Sequence, residues 1–307
     1  MTRREFIAAS AAVAGASVIA AEPKPFAIVD THQHLWDLTK FRLPWVKSDS
    51  PLNRSYSSAD YAKATEGLNV VKAIYMEVDV AEEQQQAEAD AIIELCKSNK
   101  TVTVAAVLSG RPDHAKFKKY ASQFRDSKYV KGIRRILHGE STPPGHCLSK
   151  EFIAGVRLLG ELGLSFDLCM RAPEIPDATR LVDHCPHTRF ILDHCGNEDV
   201  KKNDHTQWKK DMADLAKRDN VVGKVSGIVA AAKPGEWTAD DLAPVVNHTL
   251  EVFGPDRVMF GGDWPVCTLA ATYKQWLEAL KAIVKNRPAE QQQKLFHDNA
   301  VKFYGVG

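Results

Sequence analysis

The segment FAIVDTHQHLWD (residues 26–37) places two histidines, His32 and His34, one residue apart at the end of an apolar run, with Asp30 two residues before the first. Alternate side chains of an extended strand share a face, so a strand here would present Asp30, His32 and His34 together. Imidazole and carboxylate groups in that arrangement can bind a divalent metal ion or a substrate oxyanion. A short His-x-His pattern also arises by chance, so the motif needs support from the rest of the chain.

Polar or charged residues also lie late in six further apolar runs. In chain order they are Glu77 and Asp79, Arg134 and Arg135, Asp167, His194, Lys224 and Ser226, and Asp263. Carboxylates, imidazoles and cationic side chains are the groups that perform acid–base catalysis and bind oxyanions. The elements that carry them decide whether they can meet.

Eight short apolar runs predict β-strands, and amphipathic segments with helical periodicity lie between them. The strands are predicted at residues 26–34, 70–79, 101–108, 130–137, 164–170, 189–196, 221–228 and 257–266, and helices at 82–99, 151–163, 206–219 and 272–286 among others. A strand-then-helix order with almost continuously apolar strands indicates a parallel sheet that is covered on its outside. Eight such units close into an α/β (β/α)8 TIM barrel, and we expect a single domain over residues 22–307.

Catalytic residues of such a barrel lie at the carboxyl ends of the strands, where the polar residues named above fall. The run RFILDHCG (residues 189–196) also carries Asp193 directly before His194. Neighbouring side chains of a strand point to opposite faces, so only one of these two would face the barrel axis. We expect His194 to point inward, because a histidine between packed helices would need its own hydrogen-bond partner.

Three histidines and one carboxylate from the first, sixth and eighth strands form a ligand set typical of one first-row divalent metal ion, zinc foremost. The four residues are His32, His34, His194 and Asp263. The same groups can also work without a metal ion, with Asp263 as the base for a water molecule and the histidines as donors to an ester carbonyl. The sequence leaves both alternatives open.

Residues 1–21 resemble a twin-arginine-type signal peptide. Arg3 and Arg4 precede an apolar, alanine-rich stretch from Phe6 to Ala20, and this layout predicts export to the periplasm. The stretch is shorter than the roughly 20 residues that a membrane-spanning helix needs, so we expect no integral membrane association.

The charge balance excludes partners that bind mainly through electrostatic attraction. The chain has 40 basic and 39 acidic residues, a formal net charge of +1 and no run rich in Lys or Arg. Neither nucleic acid nor an anionic membrane surface is therefore an expected partner. The six cysteines are too few and too scattered for a disulfide framework. These features predict a globular enzyme with a small-molecule substrate, and they leave its oligomeric state open.

Seven motifs in this order resemble the amidohydrolase superfamily. They are DTHQHLWD, KGIRRIL, GLSFDL, FILDHCGN, KVSG, FGPDRVMFGGDWPVC and the closing NAVKFY. Within the superfamily they are most similar to the lactonase branch, which includes L-fuconolactonases, L-rhamnonolactonases and pyrone-dicarboxylate lactonases. The similarity runs from about Phe26 to Tyr304. One departure is GGDWPV, where the branch usually has Gly-Ser-Asp, so a hydroxyl beside Asp263 is missing.

The resemblance implies hydrolysis of a small lactone, a sugar lactone or a carboxylated lactone. It implies site roles for the four residues of the candidate ligand set and a substrate contact for Arg134. Members of the branch differ in whether they use a metal ion. We expect Asp263 to take a proton from water while the histidines polarise the ring carbonyl, directly or through one ion. Arg134 and Lys224 would bind a substrate carboxylate or carbonyl oxygen.

Four further residues have two open roles each. Glu77 and Asp167 either hold substrate hydroxyl groups or orient the histidines. Trp36 and Trp264 either offer aromatic faces to a substrate ring or pack under loops. The loops at residues 38–58 and 138–150 are expected to set specificity.

Two alternatives to a lactonase remain. The first is amide hydrolysis or metal-dependent decarboxylation on the same barrel. The second is a non-catalytic exported binding protein, which the complete set of three histidines and one aspartate disfavours. The sequence does not name the lactone.

Overall fold

The computed structural model describes residues 26–139 and 142–307. The predicted signal peptide, residues 1–21, lies outside this range, so export to the periplasm stays a prediction. Within the described residues, no helix combines the length and apolar character needed to cross a membrane. All six cysteines lie in this part of the chain, where they are buried and free.

Across the described ranges, eight strands form one parallel sheet in which each strand pairs with the next along the chain. They are β1 (Ile28–Gln33), β2 (Val70–Met76), β3 (Thr103–Ser109), β4 (Val130–Ile136), β5 (Ser165–Cys169), β6 (Arg189–Leu192), β7 (Val221–Val225) and β8 (Val258–Phe260). A bridge between Gln33 at the end of β1 and Trp264, four residues after β8, joins the two edges of the sheet. The prediction of a (β/α)8 TIM barrel is confirmed.

Helices surround the sheet and confirm the predicted alternation. They are α1 (Ser58–Ala64), α2 (Gln85–Ser98), α3 (Phe117–Ser122), α4 (Lys150–Glu161), α5 (Ile175–His184), α6 (Thr206–Leu215), α7 (Ala239–Phe253), α8 (Tyr273–Val284), α9 (Ala289–Gln293) and α10 (Asn299–Tyr304). The last helix packs across the amino ends of the strands, where Tyr304 joins the apolar cluster of the barrel interior.

The barrel interior is apolar in its amino half. Its cluster includes Val29, Ile74, Val107, Ile191 and Met259, each completely or almost completely buried. Because this half is filled by packed side chains, a substrate can reach the interior only from the carboxyl ends of the strands.

Strands β6 and β8 end earlier than predicted. β6 ends at Leu192 and β8 ends at Phe260, whereas the apolar runs continue for several residues. His194 and Asp263 lie beyond these ends with left-handed backbone, at φ values of 54° and 52°. Such values are uncommon for residues other than glycine and cluster at functional sites. Turns, not strands, therefore carry these two side chains.

An irregularity in β1 changes which of its residues face the barrel interior. The register of β1 against β2 shifts between Asp30 and Gln33. Asp30 points outward and accepts hydrogen bonds from the hydroxyls of Tyr61 and Tyr273, at 2.7 and 3.1 Å. The expectation that Asp30 projects together with the two histidines is wrong, because the shift breaks the strand alternation on which it rested.

Asp30 has a structural task instead. Its Oδ1 accepts hydrogen bonds from the backbone N–H groups of His32 and Gly262, at 2.9 and 2.7 Å. Burial raises the pKa of Asp30, although these hydrogen bonds oppose the shift. The carboxyl group thereby joins β1 to the segment after β8.

Two glycines let that segment pass close to its neighbours. A Cβ atom on Gly261 would lie 2.7 Å from His32 Cβ and 2.9 Å from Ser226 Cβ. A Cβ atom on Gly262 would lie 2.3 Å from Cε2 of Tyr273. The Tyr273 ring thus fills the space of the serine that the lactonase branch usually has, which gives a physical reason for the GGDWPV departure.

Replacing Gly261 by alanine should lower the free energy of unfolding by about 1–3 kcal/mol, because the new methyl group overpacks against two buried Cβ atoms. Urea unfolding measures the change. Gly223→Ala is the control, since a Cβ there meets nothing closer than Phe253 Cδ2 at 3.4 Å. An unchanged unfolding midpoint for Gly261→Ala would contradict the close approach.

Candidate active site

His32 and His34 lie at the carboxyl end of β1, next to Asp263. The Nδ1 atom of His34 lies 3.0 Å from the carbonyl oxygen of Met76, and its Nε2 atom lies 3.2 Å from Asp263 Oδ1. His32 Nε2 lies 3.7 Å from the same carboxylate oxygen. Backbone hydrogen bonds from Asp263 N–H to His32 and from His34 N–H to Trp264, both 2.8 Å, hold these residues together.

His194 reaches the site from the turn after β6. It and the next two residues have left-handed backbone, with φ values of 54°, 52° and 70°. Its ring lies 4.4 Å from that of His32 between centroids, and its Nδ1 atom lies 2.9 Å from Ser226 Oγ. A Cβ atom on Gly227 would lie 2.2 Å from His194 Nδ1, so only glycine leaves room for the imidazole.

Asp193 also points into the barrel, so the expectation that only one of the neighbouring pair faces inward is wrong. Asp193 lies on the same face of the strand as Ile191, which belongs to the interior cluster. Strand alternation governs Asp193 because it directly follows β6, but the left-handed turn carries His194 back over the site. The alternation pattern could have identified Asp193, because Asp193 has the same parity as the interior residue Ile191. The expectation had instead placed Asp193 towards the helices.

The carboxylate of Asp193 connects three neighbours. Its Oδ1 atom lies 3.1 Å from Lys224 Nζ and 3.5 Å from His32 Nδ1. Its Oδ2 atom accepts a hydrogen bond from Arg134 Nη1 at 3.2 Å. Burial alone would raise the pKa of Asp193, but Lys224 and His32 hold it well below its usual range. Asp193 is therefore ionised at neutral pH.

The guanidinium of Arg134 is the most highly connected group of the site. Its Nε atom donates to Glu77 Oε1 at 2.7 Å, and its Nη2 atom donates to the Glu77 carbonyl oxygen at 2.8 Å. Its Nη1 atom donates to Asp193 Oδ2 and lies 3.1 Å from His32 Nε2. Four of its five N–H groups are thus engaged within the protein, which leaves one for a substrate.

Lys224 and Asp167 pair with each other deep in the barrel. Lys224 Nζ donates to Asp167 Oδ2 at 2.7 Å, and both side chains are completely buried. Burial by itself lowers the pKa of Lys224, but Asp167 and Asp193 outweigh it and raise the pKa. For Lys224 and Asp167 the structure favours a positioning role over direct contact with substrate, because neither side chain is accessible.

We call Glu77, Arg134, Asp167, Asp193 and Lys224 the floor network. Above it, the side chains of His34 and Asp263 keep 7 % and 5 % of their surface exposed, and His194 keeps 9 %. His32 is completely buried between the two levels. A substrate that enters at the carboxyl ends of the strands would therefore meet His34, His194 and Asp263 first.

The sequence profile of the amidohydrolase family matches residues 29–306, which include every strand except the first residue of β1. The chain belongs to the amidohydrolase family. The resemblance drawn from the seven motifs is confirmed for the family, and it extends over the whole barrel.

Among the curated relatives of this amidohydrolase is an L-fucono-1,5-lactonase from Burkholderia multivorans. It is 26% identical over 293 residues, which cover 91% of this chain and 96% of the relative. This relative is named a lactonase and matches nearly the whole barrel. The match agrees with the lactonase branch that the motifs indicated.

Solved structures share the fold at lower identity. An amidohydrolase from Burkholderia multivorans with bound zinc has a TM-score of 0.81 and 24% identity, covering 91% of this chain and 99% of the other. A 5-carboxyvanillate decarboxylase from Novosphingobium aromaticivorans in complex with manganese has a TM-score of 0.65 and 15% identity, covering 91% and 97%. Both proteins share the barrel fold with this chain.

Two groups of side chains in the described ranges have ligand atoms close enough to bind one metal ion, within 4.8 Å of one another. The groups are His32, His34 and Asp263, and His32, Asp193 and His194. The expected set of four residues is thus divided, and His32 belongs to both parts. Arg134 Nη1 lies 3.1 Å from His32 Nε2, and Lys224 Nζ lies 3.1 Å from Asp193 Oδ1. With those cations in place, the residues do not fit a metal ion bound through His32 Nε2.

Trp36 and Trp264 pack beneath the loop at residues 38–58. Both are almost completely buried, and both pack edge-to-face against Tyr56, at 4.9 and 5.3 Å between ring centroids. Of the two roles that the sequence left open, packing is the one that these contacts support. Trp45 in the same loop is 39 % exposed and donates its indole N–H to the Val78 carbonyl oxygen, a placement that the sequence did not indicate.

Glu88 of α2 supports the end of β2 from outside the barrel. Its Oε1 atom accepts hydrogen bonds from the Tyr75 hydroxyl and from the Val78 N–H, both at 2.9 Å. Its Oε2 atom has no hydrogen-bond partner among the described residues. Burial, reinforced by repulsion from Glu77, raises the pKa of Glu88 to about 8.

The free energy of unfolding should fall as the pH rises from about 5 to about 8, because the unfolded chain loses the Glu88 proton in this window while the folded chain keeps it. Glu88→Gln removes this dependence. The variant should match the unchanged protein near pH 5 and exceed its stability near pH 9 in urea unfolding. Glu94→Gln, on the same helix but exposed, is the control. Identical pH dependence in the Glu88 variant and the unchanged protein would refute the shift.

Replacing Lys224 by methionine should lower the free energy of unfolding by about 3–5 kcal/mol, because buried Asp167 would lose its cation and buried Asp193 would lose one of its two. Chemical unfolding measures the loss. Lys217→Met is the control: its pair with Asp214 is exposed, so a change of about 1 kcal/mol or less is expected. A loss for Lys224→Met no larger than that of the control would show that the Lys224–Asp167 pair does not contribute this much to the free energy of unfolding.

Proposed function

We propose that this amidohydrolase opens a small lactone, a sugar lactone or a carboxylated lactone, by attack of water on the ring carbonyl. The observation that carries the proposal is the placement of one carboxylate, Asp263, beside His34 and His32 at the substrate-accessible end of the barrel. The lactonase name of a full-length relative supports this substrate class.

Asp263 acts as the base in this proposal. Its Oδ1 atom faces His34, whereas its Oδ2 atom has no hydrogen-bond partner in the described part of the chain. An ionised carboxylate can only accept protons, so Oδ2 is suited to take one from the attacking water.

His34 orients that base. The Met76 carbonyl oxygen can only accept a hydrogen bond, so the Nδ1 atom of His34 carries a proton. Its Nε2 atom faces Asp263 Oδ1 across 3.2 Å. This contact fixes the direction in which Oδ2 points.

His194 completes the reaction from the other side. When the Ser226 hydroxyl donates to Nδ1, the proton of the neutral imidazole lies on Nε2, which can donate to the carbonyl oxygen as negative charge develops there. The water oxygen forms the new bond to the carbonyl carbon, and Asp263 holds the proton. The ring C–O bond then breaks, and this proton moves to the departing ring oxygen to give the hydroxy acid.

A decarboxylase on the same barrel is the second candidate, since a structural neighbour of that name exists. That neighbour holds manganese, whereas here Arg134 Nη1 lies 3.1 Å from His32 Nε2, the His32 nitrogen that faces Asp263. The hydrogen-bond arrangement therefore favours the lactonase over a metal-dependent decarboxylase. A panel of lactones in a pH-indicator assay, run beside a carbon dioxide release assay on aromatic acids, separates the two.

Asp263→Asn should lower kcat on the best lactone of that panel by about 10²–10⁴-fold, because the amide cannot take the proton from water. Circular dichroism and urea unfolding should show an intact fold. Asp90→Asn, an exposed substitution on α2, is the control and should leave turnover unchanged. Near-normal turnover in the Asp263 variant would remove its role as base, and tight binding without turnover by the unchanged protein would point to a binding protein.

A further inference from the structure

We infer that the guanidinium of Arg134 occupies the place of a metal ion beside His32, so that this chain supplies the positive charge of its site from its own side chains. The inference concerns the same site as the proposed function, but it does not depend on a lactone being the substrate. It rests on which hydrogen-bonding groups around His32 are already used.

The two ring nitrogens of His32 face groups of opposite charge, Arg134 at Nε2 and Asp193 at Nδ1, and of the two only Nε2 has a hydrogen-bond partner among the described residues. A guanidinium can only donate, so Arg134 Nη1 at 3.1 Å makes His32 Nε2 an acceptor. The proton of the neutral ring then lies on Nδ1, which faces Asp193 Oδ1 at 3.5 Å. The Nε2 lone pair that would bind a metal ion is therefore engaged by Arg134.

Arg134 is fixed in this position. Glu77 receives two of its N–H groups, at 2.7 and 2.8 Å, and Asp193 receives a third at 3.2 Å. The side chain is only 4 % exposed. A metal ion that displaced it would leave Glu77 as a buried carboxylate without its cation and would take one of two cations from Asp193, which is strongly unfavourable.

The second candidate ligand group has its own cation. Lys224 Nζ lies 3.1 Å from Asp193 Oδ1, and Arg134 Nη1 donates to the other oxygen, Oδ2, at 3.2 Å. Apart from His32, the first group consists of His34 and Asp263, which contact each other at 3.2 Å between Nε2 and Oδ1. Neither group therefore presents three free ligand atoms, although the spacing of each would suit an ion.

The charges of the floor network fit the same interpretation. Arg134 and Lys224 bring two permanent positive charges beneath His32, and three carboxylates surround them. Relatives that bind a divalent ion place two positive charges at one point. Here the positive charge lies on two side chains that a chelator cannot remove, and three carboxylates of the same network pair with them.

The test is zinc binding by the full-length protein, measured by isothermal titration calorimetry and by metal content after gel filtration. The unchanged protein should retain no stoichiometric zinc. Arg134→Met should bind zinc at least about tenfold more tightly than the unchanged protein. The added mutation His32→Ala should abolish that gain. Arg135→Met is the matched control, since this neighbouring arginine pairs with Asp79 and not with His32.

Arg134→Met leaves buried carboxylates, so a second variant guards against misfolding. Glu77→Gln combined with Arg134→Met removes one of these charges and should show the same gain of zinc affinity.

Two results would overturn the inference. The first is stoichiometric zinc in the unchanged protein that His32→Ala removes. The second is a folded Arg134 variant, single or double, that binds zinc no better than the unchanged protein. Because zinc is the readout, inactivity on every lactone would count against the proposed function alone. Zinc bound through His32 in an active lactonase would count against this inference alone.

Discussion

One buried guanidinium joins four strands of this barrel. Arg134 on β4 contacts Glu77 after β2, Asp193 after β6 and His32 on β1. Each of those groups would be costly to bury alone, and the carboxylates are tolerated there because a cation satisfies them. The position of His32, and through it the geometry of the upper site, depends on this ion pair.

The barrel interior therefore has three levels with different physical tasks. The amino half is apolar and packed, and it anchors the strands. The floor network lies above it, where low dielectric strengthens both the attraction between opposite charges and the penalty for leaving one unpaired. His34, His194 and Asp263 form the accessible level. The proposed chemistry belongs to this last level because substrate and water arrive at the carboxyl ends of the strands.

Much of this arrangement could be predicted from the sequence. The eight strands, the helices between them and the position of the polar residues at the carboxyl ends all follow from hydrophobic periodicity, which is a local property. The grouping of His32 and His34 with Asp263 followed from the same rule. The side of the strand on which Asp193 lies, the partner of Arg134 and the outward direction of Asp30 did not, since each depends on contacts with distant segments.

The sequence by itself determined the fold, the family and the set of residues that could perform the reaction, because apolar spacing and residue type are properties of short segments of the chain. Only the tertiary structure decided which of them meet. Asp30 faces outward because it binds the backbone of Gly262, 232 positions along the chain. The register shift in β1 allows this outward direction. His194 enters the site because the chain leaves β6 in a left-handed turn for which Gly227 makes room. Side-chain direction at these points follows from long-range backbone contacts, and no local pattern encodes them.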